Sequence, residues 1–561
     1  MTARSTIAEG AQRALEQHLL ADSKLNLPSD VLAQKDRVKF TPDAETPFLP
    51  TSLQMTESSA SLWALLGMLS NSIVERRYGA TQENIEVNVY SATLFLMSAF
   101  LYRSGDKGIW DPYLNDRTAP FDHGKIRDRY RILATNIYQA KDKRFYHLHG
   151  SLDTSATLEM LGLPQFRPDL EQASNEEIKA VYAEEVAKHD SEWLDIEANE
   201  HRRQAGTICY TFEEFTKTSH GKVMMDEPLY SVQRVDHELK AVSWPSALPG
   251  DERPLAGIKV IDITRVIAGP TISRVLSLLG ADVLRISHSA KLPDTVLLYD
   301  TQIGKRDTTI DLKSLDGKKK LRKLIEGADV FIDGYRPGAM DRLGFSRKLI
   351  LEIAKRRGKG IVHARENCYG WKGEWSHRSG WQQIADAVSG ATWAQGKYLG
   401  LDEPAIPLLP NSDYQTGMVG AIAIVQALSE RAMHGGSYAV DTSLTQYNIW
   451  FQRLGLFDEN TCSAIRSRNE GFKLRHNTEL PAMVNAVKES SKKAAGEGAG
   501  KLWDQERFTE SVMEWGKDGE LASHVDWSKI VSFTDQKGVR KQRWAHSRGS
   551  CKPGSHEPEW L

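Results

Sequence analysis

The chain has 561 residues, of which 40% are hydrophobic and 26% charged, as in a globular protein of roughly two to four domains. The net charge of −2 gives no electrostatic reason to expect nucleic acid or an anionic membrane as a partner. No apolar run approaches the roughly 18 residues of a membrane-spanning helix. The N-terminus is polar and amphipathic and the C-terminus is not a peroxisomal tripeptide, so we expect a cytoplasmic location.

Four cysteines lie far apart, without a C-x-x-C pair. Zinc sites and disulfide frameworks both need clustered or regularly spaced cysteines. We therefore expect no metal site, and a reducing compartment. The cysteines are Cys209, Cys368, Cys462 and Cys551.

Residues 1–104 contain a segment whose layout returns later in the chain. A strongly apolar helix is predicted at 57–77, followed by a turn, a strand and a second apolar helix. Residues 412–450 repeat this order, and Glu75-Arg76 matches Glu430-Arg431 with spacing that differs little. Such repetition predicts duplication of part of a domain, and chance similarity of two amphipathic helices is the alternative.

Residues 105–248 are polar and mixed, with one strand-like start (RFYHL) and two helices rich in i,i+4 charge pairs. They predict a smaller α+β domain. The Pro- and Gly-rich stretch SWPSALPGDERPLAG reads as a linker and places a boundary near residue 248.

Residues 249–451 alternate strands with helices. The apolar run at Ile258–Ile261 is typical of a strand buried on both faces, and Ala268-Gly269-Pro270 begins a helix that Gly280 ends. Further strands are predicted in IGKRDTTIDLK, DVFIDGY and KGIVHAREN. This alternation predicts an α/β fold with a doubly wound parallel sheet and a ligand crevice at the carboxyl ends of its strands.

Residues 452–561 show no clear period. They include the low-complexity stretch KESSKKAAGEGAGK. We therefore expect a weakly structured C-terminal tail.

Several common motifs are absent. The opening turn TRVIAGP has one glycine, where a dinucleotide-binding turn needs three, so NAD is not expected. The sequence also lacks the H-E-x-x-H, G-x-S-x-G and Walker A patterns.

Six segments in family order resemble CoA-transferase family III, also called the CaiB/BaiF family, which includes formyl-CoA transferases and α-methylacyl-CoA racemases. They are PLAGIKVIDITRVIAGP, LLGADVLRIS, GKRDTTIDLKSLDG, ADVFIDGYRPGAMDRLG, GWQQIADAVSGATWAQG and PNSDYQTGMVGAIAIVQAL. The resemblance implies that 249–451 is a Rossmann-like CoA-binding domain that carries the catalytic aspartate. It also implies an interlocked architecture, in which dimer chains pass through each other.

The N-terminal half resembles the catalytic helix of family members together with the smaller domain that comes after that helix. The chain is thus similar to a tandem or rearranged member. We expect either a homodimer or an intrachain pseudo-dimer.

The resemblance implies that Asp413, in PNSDYQTG, is the catalytic nucleophile. Its carboxylate would attack an acyl-CoA thioester and form a mixed anhydride, and the helix N-terminus would keep it ionised. The alternative is a helix N-cap, for which aspartate is a preferred residue. The equivalent position in the N-terminal repeat falls near Glu57-Ser58 and has no aspartate.

CoA contacts are implied at five positions: Arg265, Ala268, Tyr335, Arg336 and Arg342. Arginine suits the phosphates because its planar fork bonds two oxygens at once. A lysine of formyl-CoA transferases is matched by Ser379, and the neighbouring Arg378 is expected to substitute. Lys305-Arg306 is a further candidate for phosphate contact, with a solvated hairpin as the alternative.

Three departures from the family pattern bear on specificity. Trp381 stands where racemases carry a histidine, which weighs against racemisation. Ile267 matches a glutamine of formyl-CoA transferases, and no glycine-rich loop is found.

We therefore expect a CoA-transferase acting on an acyl-CoA and a small carboxylic acid, with CoA as substrate and no permanently bound cofactor. The alternatives are an α-methylacyl-CoA racemase or epimerase and a non-catalytic CoA-binding protein.

Overall fold

A computed structural model describes residues 5–246, 249–288, 291–498, 500–515 and 519–561. Half of the described helices start after a Ser, Thr, Asn or Asp residue whose side chain caps the first turn, and the others start without a side-chain cap. In chain order they are α1 (Ile7–Leu15), α2 (Ser29–Leu32), α3 (Met55–Tyr78), α4 (Val89–Phe95), α5 (Pro112–Asn115), α6 (Arg129–Ile132), α7 (Ser155–Met160), α8 (Asn175–Val186), α9 (Ser191–Ile196), α10 (Phe212–Lys217), α11 (Ser219–Met225), α12 (Ala268–Leu278), α13 (Leu298–Thr301), α14 (Leu315–Gly327), α15 (Ala339–Leu343), α16 (Arg347–Arg356), α17 (Gln382–Val388), α18 (Ala391–Tyr398), α19 (Asn411–His434), α20 (Leu444–Arg453), α21 (Glu459–Arg468) and α22 (Leu480–Ala495).

The strands are short, with two to seven residues each. They are β1 (Val38–Thr41), β2 (Asn84–Asn88), β3 (Arg103–Ser104), β4 (Lys107–Gly108), β5 (Asn136–Gln139), β6 (Phe145–Leu148), β7 (Gly206–Ile208), β8 (Ser231–Val235), β9 (Lys259–Ile263), β10 (Asp282–Ser287), β11 (Arg306–Thr309), β12 (Val330–Asp333), β13 (Val362–Asn367), β14 (Ser437–Ser443), β15 (Phe508–Val512), β16 (Leu521–Val525), β17 (Val531–Thr534) and β18 (Arg540–Lys541).

The main sheet has seven strands in the order β11-β10-β9-β12-β13-β14-β8. All neighbours run parallel except β8, which pairs antiparallel with β14 at the edge. Helices cover both faces, since α12 and α19 pack on one side and α14 to α16 on the other. The predicted α/β fold with a large parallel sheet is confirmed, and the strand order reverses beside β9, where a crevice is expected.

The boundary predicted near residue 248 does not separate the sheets. β8 precedes that boundary but belongs to the main sheet. Local pattern gave no signal for it because an edge strand is only half-buried and reads as polar.

The predicted weakly structured tail is wrong. Residues after 452 form α21, α22 and four strands, and β17 pairs antiparallel with β2 of the N-terminal region, Val531 lying opposite Val87. β16 likewise joins the sheet of β3 and β4. This order comes from contacts distant in sequence, which a local hydrophobic period cannot register.

The N-terminal segment that residues 412–450 were predicted to repeat has the same order of elements as those residues. α3 and α19 each contain 24 residues, and each is followed by a strand and a helix, β2 and α4 or β14 and α20. α3 also packs on α19, and both helices are almost entirely buried. Their origin by duplication stays a prediction.

A smaller core lies around the antiparallel sheet β5-β6-β7 and the helices α8 and α9. It lies within the region predicted as a smaller α+β domain. Among the described residues, no helix is both long and apolar enough to cross a membrane.

Trp527 connects the C-terminal region to the rest of the core. Its ring, 1% exposed, lies edge-on to Phe95 at 4.9 Å and beneath the Arg274 guanidinium at 3.6 Å. Its indole N–H donates to the Ser98 hydroxyl at 3.1 Å. The tail therefore contributes a central residue of the largest core.

We expect Trp527→Ala to lower the free energy of unfolding by about 3–5 kcal/mol, because it removes a fully buried aromatic ring and leaves a cavity. Circular dichroism during chemical denaturation measures the change. Trp193→Ala is the control, since that ring is 41% exposed, and we expect its cost to stay below about 1 kcal/mol. Equal effects of the two substitutions would contradict an ordered tail.

Candidate functional site

A cavity of about 490 Å³ lies at the carboxyl ends of β9, β12 and β13. The turns and strand ends of the main sheet form its floor, and the loops around residues 151–159 and 202–204 form the opposite wall. Parallel sheets bind ligands at this edge, where successive strand ends converge. The cavity is therefore built jointly by the family-like region and by the chain that precedes it.

Asp413 lines this cavity from the third residue of α19. The polar residues beside it are held elsewhere: Ser412 donates to Asp386, and the amide of Asn411 donates to the Tyr447 hydroxyl at 2.9 Å. Gln415 donates to the Ser58 hydroxyl at 2.9 Å. No residue in the described ranges donates a hydrogen bond to the Asp413 carboxylate, which faces the cavity.

The alternative of Asp413 as a helix cap is wrong. The N-cap of α19 is Pro410, and no side chain caps the helix. Proline has no N–H with which a carboxylate at the third position could complete a capping box. The first turn of α19 therefore begins uncapped beside the cavity.

The charge of Asp413 is set by its surroundings more than by the helix. Desolvation, followed by the neighbouring carboxylates Glu366 and Asp386, raises the pKa of Asp413 well above its usual range. A helix N-terminus contributes only about 0.3–1 kcal/mol in the other direction. The surroundings of Asp413 therefore oppose the ionisation that the helix N-terminus was expected to favour.

Five of the six positions expected to contact CoA line the cavity. They are Arg265, Ala268, Tyr335, Arg336 and Arg378. Arg342 is the exception: it is exposed on the short helix α15 and is not part of the cavity lining.

Arg265 and Arg336 form a positively charged part of the wall. The Arg265 guanidinium lies 5.5 Å from the centre of the Tyr335 ring and donates to the Pro293 carbonyl at 3.1 Å. Arg336 donates to the Arg203 carbonyl at 3.1 Å. Desolvation and the nearby Arg265 both lower the pKa of Arg336. None of the described carboxylates forms an ion pair with either side chain, so both can bind an anion.

Arg378 is already neutralised. Its guanidinium pairs with Asp195 at 2.8 Å and with Glu200 at 2.9 Å. Both carboxylates come from the region before residue 248. Arg378 therefore fastens that region to the main domain, and its expected place in the CoA site conflicts with these ion pairs.

Lys305 and Arg306 do not contact phosphate, and the alternative of a solvated hairpin is wrong as well. Lys305 is fully buried and donates to Asp262 at 3.0 Å and to the Pro270 carbonyl at 2.8 Å. Arg306 pairs with Asp282 at 2.9 Å. Sequence could not show this, because the partners of both cations lie on other strands.

The turn between β9 and α12 is strained. Val266, which lines the cavity, has a φ of 75°, a region that β-branched residues rarely adopt. Such a residue costs on the order of 1–3 kcal/mol and persists where the surroundings impose it. Directly below, Asp262 accepts hydrogen bonds from Thr264 and Ser273 as well as from Lys305. These hydrogen bonds of Asp262 stabilise the turn on the side away from the cavity, and the backbone of the turn lines the cavity.

Sequence reasoning missed Glu366, the last residue but one of β13, which also lines the cavity. The rule that ligands bind at the carboxyl ends of parallel strands could have indicated it, since KGIVHAREN was already predicted as a strand. Ser151 and Arg203 were missed because they come from the region before residue 248, in which no residue was predicted to contact CoA.

Trp381 lines the cavity and stacks on His149 with ring centres 5.7 Å apart. Both ring nitrogens of His149 are engaged: one accepts from the Ser151 N–H at 2.8 Å, and the other lies 3.3 Å from the Gln383 amide oxygen. His149 is not part of the cavity lining. It therefore does not replace the histidine that Trp381 displaces.

Glu57, the counterpart of Asp413, occupies the same third position of its helix. It is buried beneath α1, where a methyl group added to Gly10 would come within 2.7 Å of its Cγ atom. Burial raises the pKa of Glu57 to about 8. The N-terminal segment thus has an acidic residue at the corresponding position of its helix, but α1 covers it.

Among the described residues, no cluster of His, Cys, Asp or Glu could hold a metal ion.

Comparison with known proteins identifies the family. The family model "CoA-transferase family III" matches residues 255–479. The chain is 38% identical over 496 residues to "Acetyl-coenzyme A transferase nodX" of Hypoxylon pulicicidum, covering 86% of this chain and 83% of that protein. It is 34% identical over 415 residues to "Acyl-CoA transferase" of Gibberella moniliformis, covering 72% of each.

Among solved structures, a CaiB/BaiF family protein from Brucella suis aligns with a TM-score of 0.31 and 25% identity. The alignment covers 36% of this chain and 55% of that one. The chain belongs to CoA-transferase family III. The expected family is confirmed, and membership supports an enzyme of the CoA-transferase kind.

We expect Gly417→Ala to slow CoA transfer and destabilise the protein. Its new methyl group would lie 2.4 Å from the Thr271 Cβ and 2.6 Å from the Ala268 carbonyl oxygen, so α12 and α19 must separate. Overpacking costs about 1–3 kcal/mol, and a shift of about 1 Å at Asp413 lowers the rate roughly 100-fold. Rates and thermal melting measure both effects.

Gly108→Ala is the matched control, because a methyl group there meets no atom within 4 Å. Unchanged activity in Gly417→Ala would show that the spacing of these helices does not position Asp413.

Proposed function

We propose that this protein moves CoA from an acyl-CoA donor to a carboxylic acid acceptor through a mixed anhydride on Asp413. The observation that carries the proposal is the position of the Asp413 carboxylate. It faces a cavity at the strand ends without a hydrogen-bond donor of its own, while the residues around it are fixed by other partners. A carboxylate that is partly desolvated and unbonded is a usable nucleophile.

In the first half of the reaction, a carboxylate oxygen of Asp413 bonds to the acyl carbon and the carbon–sulfur bond breaks, leaving an anhydride and CoA. The acceptor carboxylate then attacks the Asp413 carbonyl and displaces the first acid. In the last step the CoA sulfur attacks the acyl carbon of the acceptor and restores Asp413. Each step exchanges one acyl substituent, so no water or cofactor is consumed.

Two uncapped helix N-termini lie where they can stabilise negative charge that develops during the reaction. Both α12 and α19 begin at the cavity, through Ala268 and Asp413, and neither has a side-chain cap. Backbone N–H groups at such positions stabilise oxyanions and phosphates. We propose that the first turn of α19 serves the acyl oxyanion, and that the turn before α12, with Arg265 and Arg336, serves the phosphates of CoA.

We also propose that the N-terminal half takes the place that a second subunit has in the interlocked dimers implied by the family resemblance. The contribution of Ser151 and Arg203 to the cavity and the packing of α3 on α19 support this arrangement. A cytoplasmic location stays a prediction, with which the four buried free cysteines agree.

Racemisation is the competing function, and it needs a second acid/base group for the α-proton. Trp381 and the engaged His149 leave the position of the usual histidine without one. Exchange of the α-proton into heavy water without an acceptor acid would favour the racemase. A non-catalytic role is disfavoured because Asp413 is present and open to the cavity.

We expect wild-type protein incubated with acetyl-CoA and hydroxylamine to acquire a hydroxamate at Asp413, seen by peptide mass spectrometry. Acetyl-CoA is the first donor to try, given the name of the Hypoxylon relative. Asp413→Asn, which keeps the shape of the side chain, should form no adduct and lose at least about 1,000-fold in rate. The control Asp402→Asn removes an exposed carboxylate. Transfer by the wild type without any adduct would exclude the covalent mechanism.

We expect Arg336→Gln to raise the KM for acyl-CoA by about 10-fold or more with little change in kcat, because a charged hydrogen bond to phosphate contributes about 1.5–3 kcal/mol. Steady-state kinetics measure both constants. Arg322→Gln, on the exposed face of α14, is the control. Arg342→Gln compares the two placements of the CoA site, since a KM increase there without one in Arg336→Gln would contradict the cavity-based placement.

A further inference from the structure

Glu366 lies on the face of the main sheet that meets the catalytic helix. Val362 and Ala364, four and two residues earlier in β13, are buried in the same core as α12 and α19, and alternation along a strand puts Glu366 on that face. The side chain is 8% exposed and lines the same cavity as Asp413. Gly334 lies beside it, since a methyl group there would be in ordinary contact with a Glu366 carboxyl oxygen at 3.7 Å.

The carboxyl of Glu366 has no hydrogen-bond partner among the described residues, although most buried polar groups do. Its neighbours in β13 behave differently: Arg365 points to the opposite face and pairs with Asp441, and Asn367 is bonded to Gly370. A buried carboxyl left unpaired at the floor of a substrate cavity costs stability, and its presence there needs a reason in the reaction.

We propose that Glu366 is a second catalytic carboxyl, which donates a proton to the CoA sulfur as the thioester bond breaks and takes it back when CoA attacks the acceptor. The proposal deepens the transferase function proposed for Asp413 and rests on it. Asp413 forms and breaks the bonds to carbon, and Glu366 handles the single proton of the thiol.

The atoms and charges of this step balance with the groups that are present in the site. When Asp413 attacks, the electron pair of the carbon–sulfur bond moves to sulfur, the proton of Glu366 joins it, and neutral CoA thiol and a Glu366 carboxylate result. When the thiol later attacks the acceptor anhydride, its proton returns to Glu366 and the Asp413 carboxylate leaves. Neither an oxidant nor a further co-reactant is needed.

Burial and a neighbouring carboxylate favour the protonated form of Glu366. That carboxylate is Asp333 at the end of β12, and Asp413 on α19 shares the cavity with Glu366. Asp386 on α17 acts on Asp413, and Arg265 and Arg336 are the unpaired cations of the cavity wall. Desolvation and Asp333 raise the pKa of Glu366 to about 8. An ordinary thiol has a pKa of about 8.5, so the proton can move in either direction with little driving force.

Other titratable groups of the cavity lining are less suited to this task. Cys368 donates its thiol proton to the Trp381 carbonyl at 3.6 Å, and burial raises its pKa well above the usual range. Asp153 pairs with Arg131 at 2.8 Å, and Glu159 lies 3.4 Å from Arg202 with a mostly exposed side chain. Glu366 combines a buried position, a free carboxyl and the same cavity as the nucleophile.

The experiment measures transfer from acetyl-CoA to acetate, followed with an isotopic label, from pH 5 to pH 10 in the full-length protein. The active state has Asp413 ionised and Glu366 protonated, so the wild-type profile should be bell-shaped, rising with the first loss of a proton from the pair and falling with the second. Glu366→Gln should keep the acidic limb, lose the alkaline limb and slow the formation of the Asp413 adduct about 100-fold. Its KM should stay close to that of the wild type.

Glu366→Asp keeps a carboxyl group and should restore the alkaline limb at a reduced rate, a rescue that a purely structural role would not give. It also serves if Glu366→Gln does not fold, as judged by circular dichroism. Glu374→Gln, at an exposed glutamate, is the control. A wild-type profile with no alkaline limb, or adduct formation at the wild-type rate in Glu366→Gln, would overturn the role of Glu366. Absence of any adduct in the wild type would instead remove the transferase mechanism itself.

Discussion

The close approach of α12 and α19 is the constraint on which the site depends. Gly417 and Gly420 lie on one face of α19, and methyl groups at those positions would collide with Thr271 and Ile272 of α12. Without side chains there, the two helices come close enough for both of their N-termini to open into one cavity. The strained turn at Val266 and the proposed nucleophile Asp413 line the same cavity because of this contact, although they are far apart in the chain.

Buried charge holds this arrangement in one geometry. Arg274 of α12 pairs with Asp300 of α13 at 2.6 Å, and Asp300 also accepts from the Tyr414 hydroxyl at 3.2 Å, one residue beyond Asp413. Removing one member of a buried ion pair commonly costs about 3–5 kcal/mol, whereas apolar replacement of the whole pair can be neutral. Such pairs are therefore weak evidence for stability. Here they link α12, α13 and α19 at one point, which suits a role in positioning.

The sequence indicated those parts of the site that depend on local pattern. Apolar runs such as Ile258–Ile261 indicated the strands of the main sheet, and the motif around Asp413 indicated a carboxyl group that lines the cavity. It failed where a residue's partner lies in another part of the chain. Lys305 was a candidate for phosphate contact but is bound to Asp262, and Trp527 belongs to a region whose sequence has no periodicity. In each case the contact that fixes the residue joins segments that are far apart in the chain. The local pattern of the sequence therefore does not indicate it.

Asp413 and Glu57 occupy the same position in their helices but lie in different environments. Each is the third residue of a buried helix of 24 residues, and in each case desolvation raises the carboxyl pKa. Asp413 opens to a cavity with a second carboxyl and two unpaired arginines, whereas α1 lies over Glu57 at Gly10. A nucleophile needs access to its substrate before its charge state matters, and of these two carboxyl groups only Asp413 has that access. Helix and carboxyl group therefore do not make this site by themselves, and the α12 turn and the loops of the N-terminal half complete it.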